Sequence, residues 1–217
     1  MVPIIGYIHI CQNGPWQIPF DMILKAIKSS GLYDACIEIR LGIVNDVGYI
    51  IPDDRFNDPK LITVVHASSS EYERPTLLHM RDYSKTDNCQ YFYAHTKGIR
   101  HFQGQCQHTK NCVMDWVNLL IYFNINKWRI ASEKLMSNDV YGCEFFYDPS
   151  PHYSGNFWWA NSHFIRTLPD KIGQEYCDPE FWLFKRNNVI WCNIYSRGFS
   201  GGGDHYFHRT IKGIHYN

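Results

Sequence analysis

The apolar positions of this chain change period several times. Residues 3–10, "PIIGYIHI", form a short continuous apolar run that ends in the polar, Gly/Pro-containing stretch "CQNGPW". That is the pattern of a buried strand. Phe20, Ile23, Leu24 and Ile27 then recur at i, i+3, i+4 and i+7, and Gly31 stands where a helix would close in the left-handed conformation. An amphipathic helix therefore follows the strand. In "ACIEIRLGI" (35–43) the period drops to two, with Ile37, Ile39, Leu41 and Ile43 on one face and Glu38 and Arg40 on the other. This alternation predicts a second strand. "LITVVHA" (61–67) predicts a third, "RPTLLHMRDYS" (74–84) a helix with Pro75 in its first turn, and "QYFYAH" (90–95) a fourth strand.

Strands and helices that alternate in this way predict an α/β fold, with a mostly parallel central sheet flanked by helices and a ligand crevice at the carboxyl ends of the strands. Beyond about residue 110 the pattern is mixed. Val113, Trp116, Val117 and Leu120 share a helical face, a strand is expected near 140–146, and "NVIWCNIYS" (188–196) reads as another. "DPEFWLF" (178–184) predicts a short helix with Asp178 as N-cap and Pro179 at N1. The end, "RGFSGGGDHYFHRTIKGIHYN", is Gly-rich, then His- and Tyr-rich, which suits a mobile flap. No internal repeat and no linker divides the chain, so residues 1–217 are read as one domain.

Charge and composition narrow the function classes. Lys+Arg and Asp+Glu number 21 each in 217 residues, so no net positive field gathers nucleic acid or an anionic membrane surface. The N-terminus lacks the basic region of an export signal, and no apolar stretch is long enough to span a bilayer, so a soluble, cytoplasmic protein is expected. The eight cysteines are then read as reduced thiols. "CQHTKNC" offers Cys106, His108 and Cys112 to zinc, but no CxxC pair or fourth ligand accompanies them, and it reads as a surface loop.

One segment asks for a ligand. Residues 152–169, "HYSGNFWWANSHFIRTLP", set two adjacent tryptophans and the phenylalanine before them, Phe157, among Ser, Gly, Asn and His. A purely buried strand would favour Val, Ile and Leu, whereas a sugar presents apolar ring faces edged by hydroxyls. His152, Asn156, Trp158 and Trp159 are the acceptor or sugar candidates. Successive strand residues face opposite ways, so one tryptophan of the pair is expected to stack on a sugar and the other to enter the core.

Together with "YERPTL" (72–77), "YFYAHTKG" (91–98) and "DVYGCEF" (139–145), in this order, the aromatic segment resembles the nucleotide-sugar glycosyltransferases of the GT-A type, as found in bacterial surface-glycan loci and large algal viruses. The resemblance spans roughly residues 4 to 185. It implies a nucleotide-binding half over about 1–110 and an acceptor-binding half over about 111–217. It also implies that the first strand-to-helix loop holds the base and the fourth strand delivers its end to the diphosphate. Many such enzymes carry Asp-x-Asp there to hold a divalent metal, and this chain reads His95-Thr96-Lys97. A Lys and a His meet a diphosphate directly, so metal-independent binding of a UDP-sugar is expected, with no metal ligands assigned.

The remaining candidates stay open between two roles. Glu73 and Thr76 either bind the donor's ribose or sugar or cap the following helix. His9 and Asn13 either approach the base or belong to a strand end and an Asn-Gly turn. Glu180, with Asp178 ahead of it, is placed as the base of an inverting transfer to a glycan or glycoprotein hydroxyl, or else the two serve a helix N-terminus. His205 and His208 either fold back over a diphosphate or lie in a frayed end. A carbohydrate-binding domain without catalysis, or a retaining metal-dependent glycosyltransferase, is the alternative reading.

Overall fold

The computed structural model describes residues 2–102 and 106–209. Its centre is a seven-stranded sheet in the order β3-β2-β1-β4-β8-β5-β9. The strands are β1 (Ile4–Cys11), β2 (Cys36–Asn45), β3 (Leu61–Ser68), β4 (Gln90–His95), β5 (Val140–Gly142), β8 (Trp158–Asn161) and β9 (Trp191–Asn193), and a separate pair is formed by β6 (Phe145–Phe146) and β7 (His152–Tyr153). The first four strands of the order are parallel, and only β8 runs against its neighbours. This is the expected α/β architecture, with a Rossmann-like, mostly parallel sheet. Because β8 hydrogen-bonds to β4, the sheet continues without a break from the first half of the chain into the second.

Both faces of the sheet are covered. Ile4, Ile8, Ile10, Phe92 and Trp159 point to one side, where they pack with α1 (Gln17–Ser29), α4 (Gln107–Ile121) and α5 (Trp128–Lys134). Ile5, Tyr7, Tyr91, Tyr93 and Trp158 point to the other, towards α3 (Arg74–Tyr83) and α6 (Ser162–Ile165). A short α2 (Leu32–Ala35) links α1 to β2. Gly31, at φ +77°, closes α1 in the left-handed conformation expected of it. Among the described residues no helix is long and apolar enough to cross a membrane.

Double coverage alters the expected alternation in β2. Register shifts between Ile4↔Cys36 and Ile5↔Glu38, so Ile37 is passed over and lies 60 % exposed, while Ile39, Leu41 and Ile43 are fully buried. Arg40, expected on a polar face, is buried beneath α3. Its guanidinium lies 3.4 Å from the centroid of Tyr83, donates to the Tyr7 hydroxyl at 2.8 Å and pairs with Glu38. A parallel sheet clad on both sides has no solvated face for β2 to display.

The second half departs further. Glu144 takes a positive φ of 57° and splits the expected 140–146 strand into β5 and β6. The strand expected over 188–196 pairs only at Trp191–Asn193. "CQHTKNC" is no loop: Cys106 is the N-cap of α4 and Cys112 is buried within that helix. Asp178 begins α7 (Asp178–Phe181) as its first residue, with Cys177 at the N-cap, and it accepts a hydrogen bond from the Glu175 amide at 2.8 Å.

Gly42 sets the seat of α3. A Cβ built there would lie 1.9 Å from the Thr76 hydroxyl oxygen and 2.8 Å from its Cβ. The bare backbone of β2 thus lets Thr76 descend until its hydroxyl meets His9 Nδ1 at 2.8 Å. Gly42→Ala is expected to lift Thr76 off that contact and to cost about 1–3 kcal/mol in urea unfolding, the range for overpacking a tight core.

Candidate active site

A cavity of ≈ 600 Å³ opens at the carboxyl ends of β1, β2 and β4. His9 and Cys11 end β1 there, Val44 comes from β2, and His95, Thr96 and Lys97 leave β4. The turn after β4 is tightly specified. The Thr96 amide donates to the His9 carbonyl at 3.0 Å, the Thr96 hydroxyl accepts from the Cys11 amide at 3.0 Å, and the Lys97 amide donates to the His95 carbonyl at 2.7 Å. Gly98 has φ +78°, and a Cβ on it would lie 2.4 Å from Val113 Cγ1. The backbone can therefore press against α4 only because residue 98 has no side chain.

That turn carries Lys97 along the cavity wall. Its ammonium lies 4.4 Å from the Trp116 ring centroid, and no hydrogen bond or ion pair engages it among the described residues. Burial works against its charge, but the surrounding Tyr206, Glu180, Tyr176 and Glu73 outweigh burial and raise its pKa. Lys97 therefore stands in the cavity as a cation at neutral pH.

Three carboxylates line this cation's cavity, Glu73, Asp148 and Glu180, and Glu73 and Glu180 are held differently. Glu73 Oε2 accepts from the Tyr93 hydroxyl at 2.6 Å and from Asn156 Nδ2 at 2.7 Å, while its Oε1 stands 3.8 Å from His95 Nδ1. Glu180 accepts the Gly155 amide at 2.8 Å through Oε1, and no hydrogen bond engages its Oε2 among the described residues. The Gly155 carbonyl in turn takes a bond from His95 Nε2 at 2.9 Å. A carbonyl can only accept, so the neutral His95 carries its proton on Nε2. One residue, Gly155, thereby ties the end of β4 to the start of α7.

Burial, with the Lys97 charge adding to it, pushes the His95 pKa down to about 3. Burial likewise lowers His9 to about 4. Both rings are neutral at pH 7, so neither adds a positive charge to that of Lys97.

The structure brings six of the anticipated residues to the cavity: His9, Glu73, His95, Lys97, His152 and Glu180. The others lie elsewhere, for identifiable reasons. Asn13 pairs with the exposed Asp46 at 2.9 Å. Thr76 is buried on the face of α3 that packs on Gly42, and Asn156 is buried between Glu73 and the Trp158 indole, which donates to its Oδ1 at 2.7 Å. Trp158 stacks on Tyr93 at 5.0 Å and Trp159 donates to the Asn124 carbonyl at 2.7 Å. The two tryptophans do face opposite ways, but both sides of the sheet are interior, so neither offers a ring to a sugar. Asp178 turns back to its own loop.

The tail is packed rather than loose over its described part. His205 is fully buried, stacked on Trp116 at 4.2 Å and 3.3 Å from Glu144 Oε2, so it supports the cavity wall from behind. His208 lies against Phe199 on the surface. Gly202, Gly203 and Tyr206 do line the cavity, and residues 210–217 of the expected flap lie outside the described residues. Sequence reasoning missed Tyr72, Arg100, Asp148 and Tyr176, which also line the cavity. Arg100 follows "HTKG" by two residues and was legible as a second cation, whereas Tyr72 and Tyr176 meet at 5.2 Å across loops a hundred residues apart.

No family model matches the chain, and no curated protein does. Among solved structures, HddC from Yersinia pseudotuberculosis is similar over 92 % of each chain at 12 % identity and a TM-score of 0.49. A 4-diphosphocytidyl-2C-methyl-D-erythritol synthase is similar over 95 % of this chain and 96 % of that one, at 9 % identity and a TM-score of 0.38. Neither likeness argues for an activity.

The two histidines make a pH prediction. Each is neutral in the fold down to about pH 3 or 4, while an unfolded histidine binds its proton near pH 6.5. Unfolding therefore takes up protons between those limits, and stability, full above about pH 6.5, falls as pH drops through the window. In urea titrations from pH 7 to 4.5, His95→Gln is expected to lose stability less steeply than the native chain.

Proposed function

We propose that this chain is a nucleotide-sugar-dependent transferase, and specifically a GT-A-like glycosyltransferase that moves one sugar from a UDP-sugar to a hydroxyl of a glycan or glycoprotein. The observation that carries this reading is the Lys97 ammonium at the end of β4, inside the cavity and without a hydrogen-bonding counter-ion. An unpaired cation at the carboxyl end of a parallel sheet suits a diphosphate. Arg100, on the same wall, adds a second positive group.

Donor binding in this proposal needs no divalent metal. The GT-A type would place a carboxylate pair at the end of β4, and here Lys97 stands in that position and repels a cation. His95 Nε2 is already committed to Gly155. Among the described residues, no three His, Cys, Asp or Glu side chains gather as metal ligands.

In the transfer step, the acceptor oxygen forms a bond to the anomeric carbon while the bond from that carbon to the diphosphate oxygen breaks. The leaving diphosphate keeps the electron pair beside Lys97, and the acceptor proton passes to a carboxylate. Glu180 is the better base because Oε2 is free to take that proton while the Gly155 amide fixes Oε1. This corresponds to inversion at the anomeric carbon. The binding-only alternative loses the support it drew from Trp158 and Trp159, since both are buried.

UDP is expected to raise the unfolding temperature with EDTA or Mn²⁺ alike, and saturation at 100 times Kd corresponds to about 2.7 kcal/mol. Lys97→Ala should abolish most of that protection. Glu180→Gln should keep it while slowing sugar transfer roughly 10²–10⁴-fold. Absence of any UDP effect on the native chain sinks the reading, and pyrophosphate release from a nucleoside triphosphate and a sugar phosphate would replace it with nucleotidyl transfer.

A further inference from the structure

The chain has seven tryptophans, and six of them are at most 3 % exposed. Trp191 is the exception at 38 %. It lies on β9, the edge strand of the sheet, with one ring face backed by Phe145 at 4.2 Å and an interplanar angle of 13°. Tyr147 stands edge-on to it at 6.4 Å and is 70 % exposed, and the Tyr147 hydroxyl has no hydrogen bond among the described residues. Phe184 packs edge-on against Phe145 from behind. The platform is therefore held in place before any ligand arrives, which limits the entropy lost on binding.

This platform connects to the cavity through the chain. Tyr147 is followed by Asp148 and Pro149, which line the cavity, and Phe146 pairs with His152, which lines it too. The platform and the cavity wall thus share one short segment, residues 145–152. The surface offers apolar rings and an unengaged phenol, and among the described residues no cation stands over the ring of Trp191, Tyr147 or Phe145. A neutral saccharide has the matching chemistry: an apolar ring face to stack and hydroxyls to bond at its edge.

We propose that Tyr147 and Trp191 form a saccharide subsite that holds the acceptor glycan one or more rings away from the point of transfer. The inference rests on the transferase reading for its choice of occupant. It assigns to the edge strand the stacking role that the buried Trp158 and Trp159 do not fill.

The test uses the full chain carrying 5-fluorotryptophan, with the Trp191 resonance identified through Trp191→Phe. Xylohexaose, cellohexaose, mannohexaose and maltohexaose are titrated separately, with UDP as the control. At least one oligosaccharide is expected to shift the Trp191 resonance while UDP leaves it in place. Tyr147→Ala, at an exposed position that should not disturb folding, is expected to weaken that binding about tenfold, and Trp191→Ala at least as much. Neither variant should alter protection by UDP, so loss of UDP binding in the native chain would fail the transferase reading separately. Oligosaccharide binding at Trp191 with no UDP effect would keep the subsite and return the chain to the binding-only reading. No shift with any of the four oligosaccharides overturns the inference. So does a concentration-dependent dimer, seen by sedimentation, that Tyr147→Ala disrupts, because the platform would then be an interface between two copies.

Discussion

The arrangement of the site follows from one electrostatic constraint, a lysine cation held in a half-enclosed cavity without a bonded partner. A charge removed from water is costly unless something replaces the lost solvation. Around Lys97 the replacement is diffuse: the face of Trp116 at 4.4 Å and carboxylates that stand in the cavity without touching it. The sequence maintains this arrangement through rigid local geometry. Gly98 lets the turn press against α4, and Thr96 stitches that turn to β1. A diphosphate entering the cavity would find a donor already in place, with no ion pair to break first.

The same constraint explains why the nearby histidines are neutral. Burial and the Lys97 charge both favour an uncharged His95, which then bonds the Gly155 carbonyl and stabilises the loop between β7 and β8. Glu180 completes the loop's restraint through the Gly155 amide. A Cβ on Gly155 would fall 2.6 Å from Leu120, so this peptide too is fixed by packing beneath it. Three parts of the chain that are distant in sequence, at 95, 155 and 180, are thereby locked together at the backbone of Gly155.

Much of the fold was legible because parallel strands and amphipathic helices write their periods directly into the chain. β1, α1, β3, α3 and β4 fall where the apolar pattern places them, and the cavity lies at the strand ends where such sheets bind ligands. The failures share a physical origin. Arg40 and one tryptophan of the Trp158–Trp159 pair were assigned exposed roles because a single sequence does not reveal that both faces of the sheet are covered. The tail's His205 was read as mobile because its partners, Trp116 and Glu144, lie 89 and 61 residues away in sequence. Strand-end residues such as His95 and Lys97 were easier, since their position depends on local periodicity alone.

Two of the cavity's carboxylates, Glu73 and Glu180, show how packing, more than residue type, decides which oxygen atoms are engaged and which stay open. On sequence alone Glu73 and Glu180 are equivalent acids, each near the start of a short helix. In the fold, Glu73 spends Oε2 on a phenol and an amide and links Tyr93, Asn156 and Trp158 into one buried chain of hydrogen bonds. Protonating or moving it would disturb that whole chain, which suits a group that shapes the cavity floor. Glu180 is restrained through one oxygen only, so its second oxygen can exchange a proton with a bound hydroxyl at little structural cost. A carboxylate fixed at one atom and open at the other meets the geometric demand of general base catalysis, and Glu180 meets it better than Glu73.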